Sequence, residues 1–201
     1  EFLEQSLETN PGTSRNKIPY ESIKLIVMDG VFSMEGDVAK LPVIVELAEK
    51  YNASVYVDEA HSLGVFGEGG RGICNHFGLT DRVDLIMGTF SKSLATIGGF
   101  IATDADTINF LKHHSRSYIF SASISPAATA SVIAALDVIK QEPERIKNLW
   151  EITNYSLDAF RSRGFEIGPT ETPHSSCSLS NIFIPPYKYS SVNLFIISEA
   201  A

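Results

Sequence analysis

The chain has 201 residues, of which 44% are hydrophobic and 20% are charged, and its formal net charge is −8. This length allows one domain and part of a second, and the composition is typical of a globular protein with a sizeable core. The acidic balance argues against a nucleic-acid-binding protein, which usually carries a basic face. We recognise no signal peptide and no bilayer-spanning apolar run, so we expect a cytoplasmic protein without a transmembrane segment.

The cysteines and the first residue give two further expectations. Cys74 and Cys177 are far apart and lack the spacing of metal ligands, so we predict reduced thiols and no metal site. The chain begins with Glu1 rather than Met, so we expect a fragment.

The first regular elements follow a strand–helix–strand order. Residues 24–29 read K-L-I-V-M-D, which predicts a buried strand, and residues 54–57 read S-V-Y-V, which predicts another. Between them, apolar residues recur at helical spacing over 41–51, with Pro42 in the first turn. This order is the unit of an α/β fold, so we predict a mostly parallel sheet.

The later elements extend this pattern and end in a less regular tail. We predict strands over 84–87 and 98–103. Three helices should follow, and they should end near residues 114, 141 and 163. Asp104 or Asp106 is suited to cap the start of the first helix, and Ser125 opens the second. Pro143 separates the last two helices, which predicts a large domain over 1–142 and the start of a small α+β domain over 143–201. Periodicity fades from about residue 174, although 182–184 and 194–197 each fit a strand.

Three groups of polar side chains follow predicted strands. Ligands of open α/β sheets bind outside the carboxyl ends of the strands, so neighbouring strands would bring these groups into one crevice. Taken singly, each residue also fits an ordinary turn or a solvated surface position. The groups are Ser33; Asp58 and His61; and Thr89, Ser91 and Lys92.

One alternative is a nucleotide site. Residues 58–61 read D-E-A-H, a string found in some helicases, where the strand-end acid holds a magnesium ion. That site needs a phosphate loop of the form G-x-x-x-x-G-K-[ST] earlier in the chain, and the sequence contains none. The nucleotide interpretation is therefore weakened.

Read together, the motifs resemble those of the α-oxoamine synthases. These are fold-type I pyridoxal-phosphate enzymes that join an amino acid to an acyl-CoA with loss of carbon dioxide. The resemblance covers about residues 18–172 with the same order and spacing. The matching strings are D-G-V-F-S-M-E-G-D (29–37), V-D-E-A-H-S-L-G-V-F-G-E-G-G-R-G (57–72), G-T-F-S-K-S (88–93) and F-S-A-S-I-S-P (120–126).

The resemblance implies pyridoxal 5′-phosphate as cofactor and a role for each matching residue. Lys92 resembles the lysine that holds the cofactor, and Asp58 resembles the carboxylate that faces the pyridine nitrogen. His61 and Ser33 resemble contacts to the phenolic oxygen. Thr89 and Ser91 resemble phosphate ligands, and the family's homodimer with shared active sites implies that Ser121 and Ser123 reach the neighbouring subunit's phosphate.

Within the family, residues 88–102 and 118–126 resemble the bacterial serine palmitoyltransferases. This implies condensation of L-serine with palmitoyl-CoA to give 3-ketodihydrosphingosine. Glycine C-acetyltransferase and 8-amino-7-oxononanoate synthase activities remain alternatives, as does an inactive fragment or partner subunit.

The chain also departs from the family's pattern. The family implies a histidine that stacks on the cofactor and belongs to a part preceding these residues, and an arginine after residue 173 that binds the substrate carboxylate. Residues 174–201 contain no arginine and do not resemble the family's C-terminal domain. We therefore expect little or no turnover from this chain alone.

Overall fold

The computed structural model describes residues 2–9, 23–165, 167, 170, 172–173 and 193–197. In chain order, the elements are α1 (Phe2–Thr9), β1 (Ile23–Asp29), α2 (Leu41–Lys50), β2 (Ser54–Asp58), α3 (Ile73–His76), β3 (Leu85–Thr89), β4 (Gly99–Ala102), α4 (Ala105–His114), α5 (Arg116–Ile119), α6 (Pro126–Gln141), α7 (Glu144–Ser162) and β5 (Asn193–Ile197).

The strands form one sheet in the order β4-β3-β2-β1-β5. β1, β2 and β3 are parallel, whereas β4 pairs antiparallel with β3 and β5 pairs antiparallel with β1. The predicted α/β class and the parallel arrangement of the central strands are confirmed. The antiparallel direction of β4 was not predicted, because strand patterns carry no information about direction.

The core lies between the central strands and the first helices. Ile26 and Met28 of β1 and Val55 and Val57 of β2 alternate into it, which is the period-two pattern of a strand. The helix α2 adds its own stripe at spacings of four and three residues, through Leu41, Val45 and Ala48. Burial of these aliphatic side chains supplies most of the driving force that orders this half of the chain.

Two predicted helix starts are confirmed by their hydrogen bonds. The Asp104 carboxylate accepts from the backbone N–H groups of Asp106 and Thr107 and caps α4. The Ser125 hydroxyl accepts from the N–H of Ala128 and caps α6, with Pro126 in the first turn. Both side chains accept hydrogen bonds from N–H groups of the first helical turn, which have no acceptor within the helix.

The N-terminal helix α1 was not indicated by the sequence pattern. Eight residues are too few for a stable isolated helix, so α1 depends on its contacts with α2. Leu7 is buried in the core, the Lys50 ammonium lies 2.8 Å from the Glu4 carboxylate, and the Tyr51 hydroxyl donates to Glu8 at 2.7 Å.

The helix α7 returns to the first part of the chain. The indole Nε1 of Trp150 donates to the Val65 carbonyl at 2.9 Å, and Leu149 packs against the core. The Thr170 hydroxyl donates to the Gly36 carbonyl at 3.2 Å. The domain boundary near residue 143 stays a prediction. Residues 193–197 form the predicted strand β5, and 182–184 lie outside the described residues.

Candidate active site

The carboxyl ends of three neighbouring strands lie side by side. Asp29 at the end of β1 is in register with Asp58 at the end of β2, and Asp58 is in register with Met87 of β3. Thr89, two residues later, ends β3. In parallel strands, residues in register project on the same side of the sheet, so these ends form one edge.

Asp58 is held at this edge by its own backbone and by the next residues. One carboxylate oxygen, Oδ1, accepts from the N–H of Ala60 at 2.8 Å, and the Asp58 carbonyl accepts from the N–H of Gly30 at 2.8 Å. The second contact joins the loop that contains Ser33 to the end of β2. Burial, followed by the charge of Asp58 two residues later on the same strand, raises the pKa of Tyr56.

Lys92 lies in the loop that joins the antiparallel strands β3 and β4. The loop closes through the N–H of Phe90, which donates to the Gly98 carbonyl at 2.9 Å, and the N–H of Thr96, which donates to Phe90 at 2.8 Å. Ala95 adopts a left-handed conformation, with φ of 51°, and donates to the Lys92 carbonyl at 3.0 Å. The turn therefore presents the exposed Lys92 directly beyond the end of β3.

Two hydroxyl groups lie together at the start of this loop. Thr89 Oγ1 and Ser91 Oγ are 2.9 Å apart, and the N–H of Ser91 points at Thr89 Oγ1 from 3.3 Å. Close approach of the two strands here depends on glycine, because a Cβ on Gly88 would lie 2.4 Å from the Phe100 ring. Paired hydroxyls beside a backbone N–H are suited to binding a phosphate group.

Asp29 is a candidate residue that the sequence analysis did not single out. Burial raises the pKa of its carboxyl group, the charge of Asp58 raises it further, and the charge of Lys92 lowers it. Lys92 and Asp58 are therefore both close enough to Asp29 to interact with it electrostatically. The sequence did offer one signal for Asp29, which is that it ends a buried strand as Asp58 does.

The remaining predicted residues lie around this edge. His61 is half-buried with its Nδ1 atom inside the protein, three residues beyond Asp58. Ser33 is exposed in the turn between β1 and α2. Ser121 and Ser123 are exposed between α5 and α6, and the next residue, Ile124, lies 3.3 Å from where a Cβ on Gly98 would be. This segment therefore passes beside the Lys92 loop.

Glu59, the residue after Asp58, is almost completely buried. Its carboxylate accepts from the N–H groups of Ile73 and Cys74 at 2.7 and 2.8 Å, and from the Ser62 hydroxyl. Burial, followed by the neighbouring Glu59 carboxylate, raises the pKa of the Cys74 thiol. Glu59 thus ties the start of α3 to the end of β2.

The family model for aminotransferase class I and II matches residues 3–176. The chain belongs to this family. The serine palmitoyltransferase of Bacteroides ovatus is 60% identical over 181 residues, which are 90% of this chain and 44% of that protein. The serine palmitoyltransferase of Sphingobacterium spiritivorum is 57% identical over 158 residues, or 79% of this chain and 40% of that protein. The resemblance inferred from the motifs is confirmed.

A second group of relatives is more distant. The 8-amino-7-oxononanoate synthase of Thermosipho melanesiensis is 50% identical over 150 residues, which are 75% of this chain and 38% of that protein. The chain spans less than half the length of the curated relatives it matches.

Solved structures agree with the fold of the chain. The serine palmitoyltransferase of Sphingomonas wittichii superposes with a TM-score of 0.76 at 35% identity, over 87% of this chain and 42% of that one. The S. paucimobilis enzyme, solved with bound PLP and myriocin, has a TM-score of 0.74 at 36% identity, over 86% and 43% of the two chains. The fold is therefore the fold-type I architecture expected from the motifs.

Proposed function

We propose that this chain binds pyridoxal 5′-phosphate at Lys92 and carries the cofactor-binding part of a serine palmitoyltransferase. The reaction is condensation of L-serine with palmitoyl-CoA, with loss of carbon dioxide, to give 3-ketodihydrosphingosine. One observation carries the cofactor assignment: the strand register brings Asp58 and the end of β3 to the same edge of the sheet, and Lys92 follows β3 by three residues. A primary amine and a strand-end carboxylate therefore belong to the same edge.

The chemistry of the donor set fits the three polar parts of this cofactor. Lys92 supplies an amine for the aldehyde, Asp58 a carboxylate for the pyridine nitrogen, and Thr89 and Ser91 paired hydroxyls for the phosphate. Ser121 and Ser123 are candidates for the phosphate of a neighbouring subunit. His61 and Ser33 are candidates for the phenolic oxygen, because both loops begin beside the end of β2.

The roles of these residues follow from their charge and position. When bound, the cofactor supplies an electron sink for the carbanion formed at the amino acid's α-carbon. Asp58 would present its carboxylate to the pyridine nitrogen and so favour the protonated form of that nitrogen. The Lys92 amine, once the amine of the amino acid has replaced it on the cofactor, would take the α-proton as a general base, and the His61 imidazole would orient the acyl thioester through a hydrogen bond.

The choice of serine and palmitoyl-CoA is supported by the relatives. Serine palmitoyltransferases reach 57% to 60% identity, whereas the 8-amino-7-oxononanoate synthases among the relatives reach 45% to 50%. The latter activity is the second candidate, because half of the aligned residues are shared with it. Glycine C-acetyltransferase activity and an inactive subunit remain alternatives.

The proposal includes a homodimer in the cytoplasm. Exposed apolar side chains cluster beside Ser121, including Tyr118, Ile119 and Phe120, and an exposed apolar segment of this kind is suited to an interface. Sedimentation velocity across a concentration series tests the dimer.

Among the described residues, no helix has the length and apolar character needed to cross a membrane.

The first test is the visible absorbance of the purified chain mixed with pyridoxal 5′-phosphate. We expect an absorbance band that Lys92→Ala removes, because covalent attachment needs the amine. Lys112→Ala is the matched control, since Lys112 is an exposed lysine at the end of α4, and it should keep the band. A wild-type chain without a Lys92-dependent band would overturn the cofactor assignment.

The substrate is tested by titrating the same band with amino acids. The serine assignment predicts that L-serine shifts the band and glycine does not. A shift with glycine alone would contradict it and favour the acetyltransferase alternative. This measurement follows the first half of the reaction and does not require turnover of the acyl-CoA.

A further inference from the structure

A side-chain hydrogen bond joins the Lys92 loop to the segment after β2. The Ser93 hydroxyl donates to the Leu63 carbonyl at 2.5 Å, across thirty residues of sequence. The two loops touch at this point, because a Cβ on Gly64 would lie only 2.6 Å from the Cβ of Ser93. The contact therefore connects the residue after Lys92 to the segment that carries Asp58 and His61.

The acceptor of this hydrogen bond is held rigidly. The N–H of Leu63 donates to the Glu59 carbonyl at 2.9 Å, and the N–H of Gly64 donates to Gly70 at 2.7 Å. The buried Glu59 carboxylate accepts hydrogen bonds from the N–H groups of Ile73 and Cys74, and these bonds hold the turn after β2 in place. A carbonyl that is anchored on both sides offers a fixed reference point for a neighbouring loop.

The Lys92 loop is also held by the buried side chain of Leu94 and by backbone hydrogen bonds, one of which joins the Ala95 N–H to the Lys92 carbonyl. Its backbone hydrogen bonds join Phe90 to Gly98 and Thr96, and the Thr89 hydroxyl donates to the Gly98 carbonyl at 3.3 Å. Ser93 supplies a contact near the tip, directly beside Lys92.

We propose that Ser93 is a positioning residue: its hydroxyl bond to the Leu63 carbonyl holds Lys92 at the distance from Asp58 and Asp29 that reaction with the cofactor needs. This inference deepens the proposed function and rests on it. Ser93 touches neither cofactor nor substrate in this role and acts through Lys92. A shift of about 1 Å in a reacting group costs up to about 100-fold in rate, so one hydrogen bond beside the lysine has a measurable effect.

The first arm of the test needs no cofactor. Carbon-detected NMR follows the titration of the Asp29 carboxyl group in the wild type, in Ser93→Ala and in Ser131→Ala. Ser131 is the matched control, because its exposed hydroxyl also donates to a backbone carbonyl, that of Ala127 at 3.1 Å, within α6. Lys92 lowers the pKa of Asp29, whereas Asp58 raises it. Loosening Lys92 should therefore raise the titration midpoint in Ser93→Ala and leave it unchanged in Ser131→Ala.

The second arm measures how fast pyridoxal 5′-phosphate attaches to Lys92, by stopped-flow absorbance. We expect attachment on the order of tenfold slower in Ser93→Ala and unchanged in Ser131→Ala, because only the first variant displaces the amine. An unchanged Asp29 midpoint or an unchanged rate in Ser93→Ala would overturn the positioning role. Failure of the wild type to attach the cofactor would instead overturn the proposed function, and the two failures are thus distinguished.

Discussion

Two parts of this chain differ sharply in how they are packed. Residues 23–94 contain most of the buried aliphatic side chains, around β1, β2 and α2. Residues 97–141 lie mostly on the surface: in the described structure neither α4 nor α5 has a buried residue, and α6 buries only Ala128 and Val132. We call residues 23–94 the packed half and residues 97–141 the open half. The packed half can hold side chains in fixed positions, whereas the positions of side chains in the open half depend on what covers them.

The candidate site lies where the two halves meet. Asp58 and His61 follow a strand of the packed half, and Lys92 lies in the loop that leads from this half into the open half. Ser121 and Ser123 belong to the open half, beside Phe120, which is 84% exposed. The proposed roles of Lys92 and Asp58 rest on local contacts of the chain itself, whereas the proposed role of the two serines depends on a neighbouring subunit.

The largest effect is expected at Glu59, the centre of the packed half. Glu59→Ala leaves the buried N–H groups of Ile73 and Cys74 without their acceptor, which should cost about 3 to 5 kcal/mol in the free energy of unfolding. Urea unfolding measures this loss. Glu68 is an exposed glutamate in the nearby Gly-rich segment 64–72, and Glu68→Ala should stay within about 0.5 kcal/mol of wild type. Equal losses in the two variants would contradict the role given to Glu59.

A pair of apolar truncations tests the contrast between the halves directly. Leu41 is fully buried, so Leu41→Ala should cost about 3 to 4 kcal/mol through lost burial and the cavity left behind. Phe120→Ala removes a larger side chain from the open half, yet it should change the stability of the monomer by less than about 0.5 kcal/mol. Thermal unfolding at a concentration where the chain is monomeric provides the comparison. A large loss from Phe120→Ala would mean that the open half is packed against something.

Two glycines with positive φ should tolerate an added Cβ to different degrees. A Cβ on Gly72, with φ of 101°, would lie 2.5 Å from the Glu59 carboxylate, whereas one on Gly78, with φ of 67°, would meet nothing within 4 Å. Gly72→Ala should therefore cost about 2 to 3 kcal/mol, and Gly78→Ala only about 1 kcal/mol. Urea midpoints decide between them, and a Gly78 variant as unstable as the Gly72 variant would refute the packing explanation.

The sequence predicted those features of the fold that depend on local patterns. Strands such as β2 and helices such as α6 were predicted to within one or two residues, because alternation, helical spacing and caps are encoded locally. The helix α1 and the direction of β4 were missed, because both are determined by contacts with distant residues. The packing of Trp150 against the first part of the chain was missed for the same reason.

The candidate site was predictable only in part. Lys92, Asp58 and His61 were recognisable because their order and spacing resemble a known family, and their roles stay predictions. Asp29 needed the strand register, which places it beside Asp58. The buried position of Glu59 and the bond from Ser93 to Leu63 needed three-dimensional contacts, because nothing in a run of letters distinguishes a buried acid or a bonded hydroxyl from an exposed one.

The smallest predicted effects are two pH dependences of opposite sign, one in each half. Burial, followed by the charge of Asp58, raises the pKa of Asp29 above its ordinary value of 3.8, so the charged form destabilises the folded state. This cost is absent below pH 3.8 and grows as pH rises through the folded-state pKa. Asp29→Asn should therefore be more stable, relative to wild type, at pH 7 than at pH 3.

Asp104, in the open half, should behave in the opposite way. Hydrogen bonds from the Thr107 hydroxyl and from the backbone N–H groups that Asp104 caps lower the pKa of Asp104. The charged form of Asp104 therefore stabilises the folded state above pH 3.8, and this effect is lost as the pH falls through the lower folded-state pKa. Asp104→Asn should therefore lose stability relative to wild type at pH 7 and recover at low pH. Urea midpoints of both variants at pH 7 and pH 3 give the comparison. If Asp29→Asn instead lost stability relative to wild type at pH 7, burial and the charge of Asp58 would not dominate the pKa of Asp29.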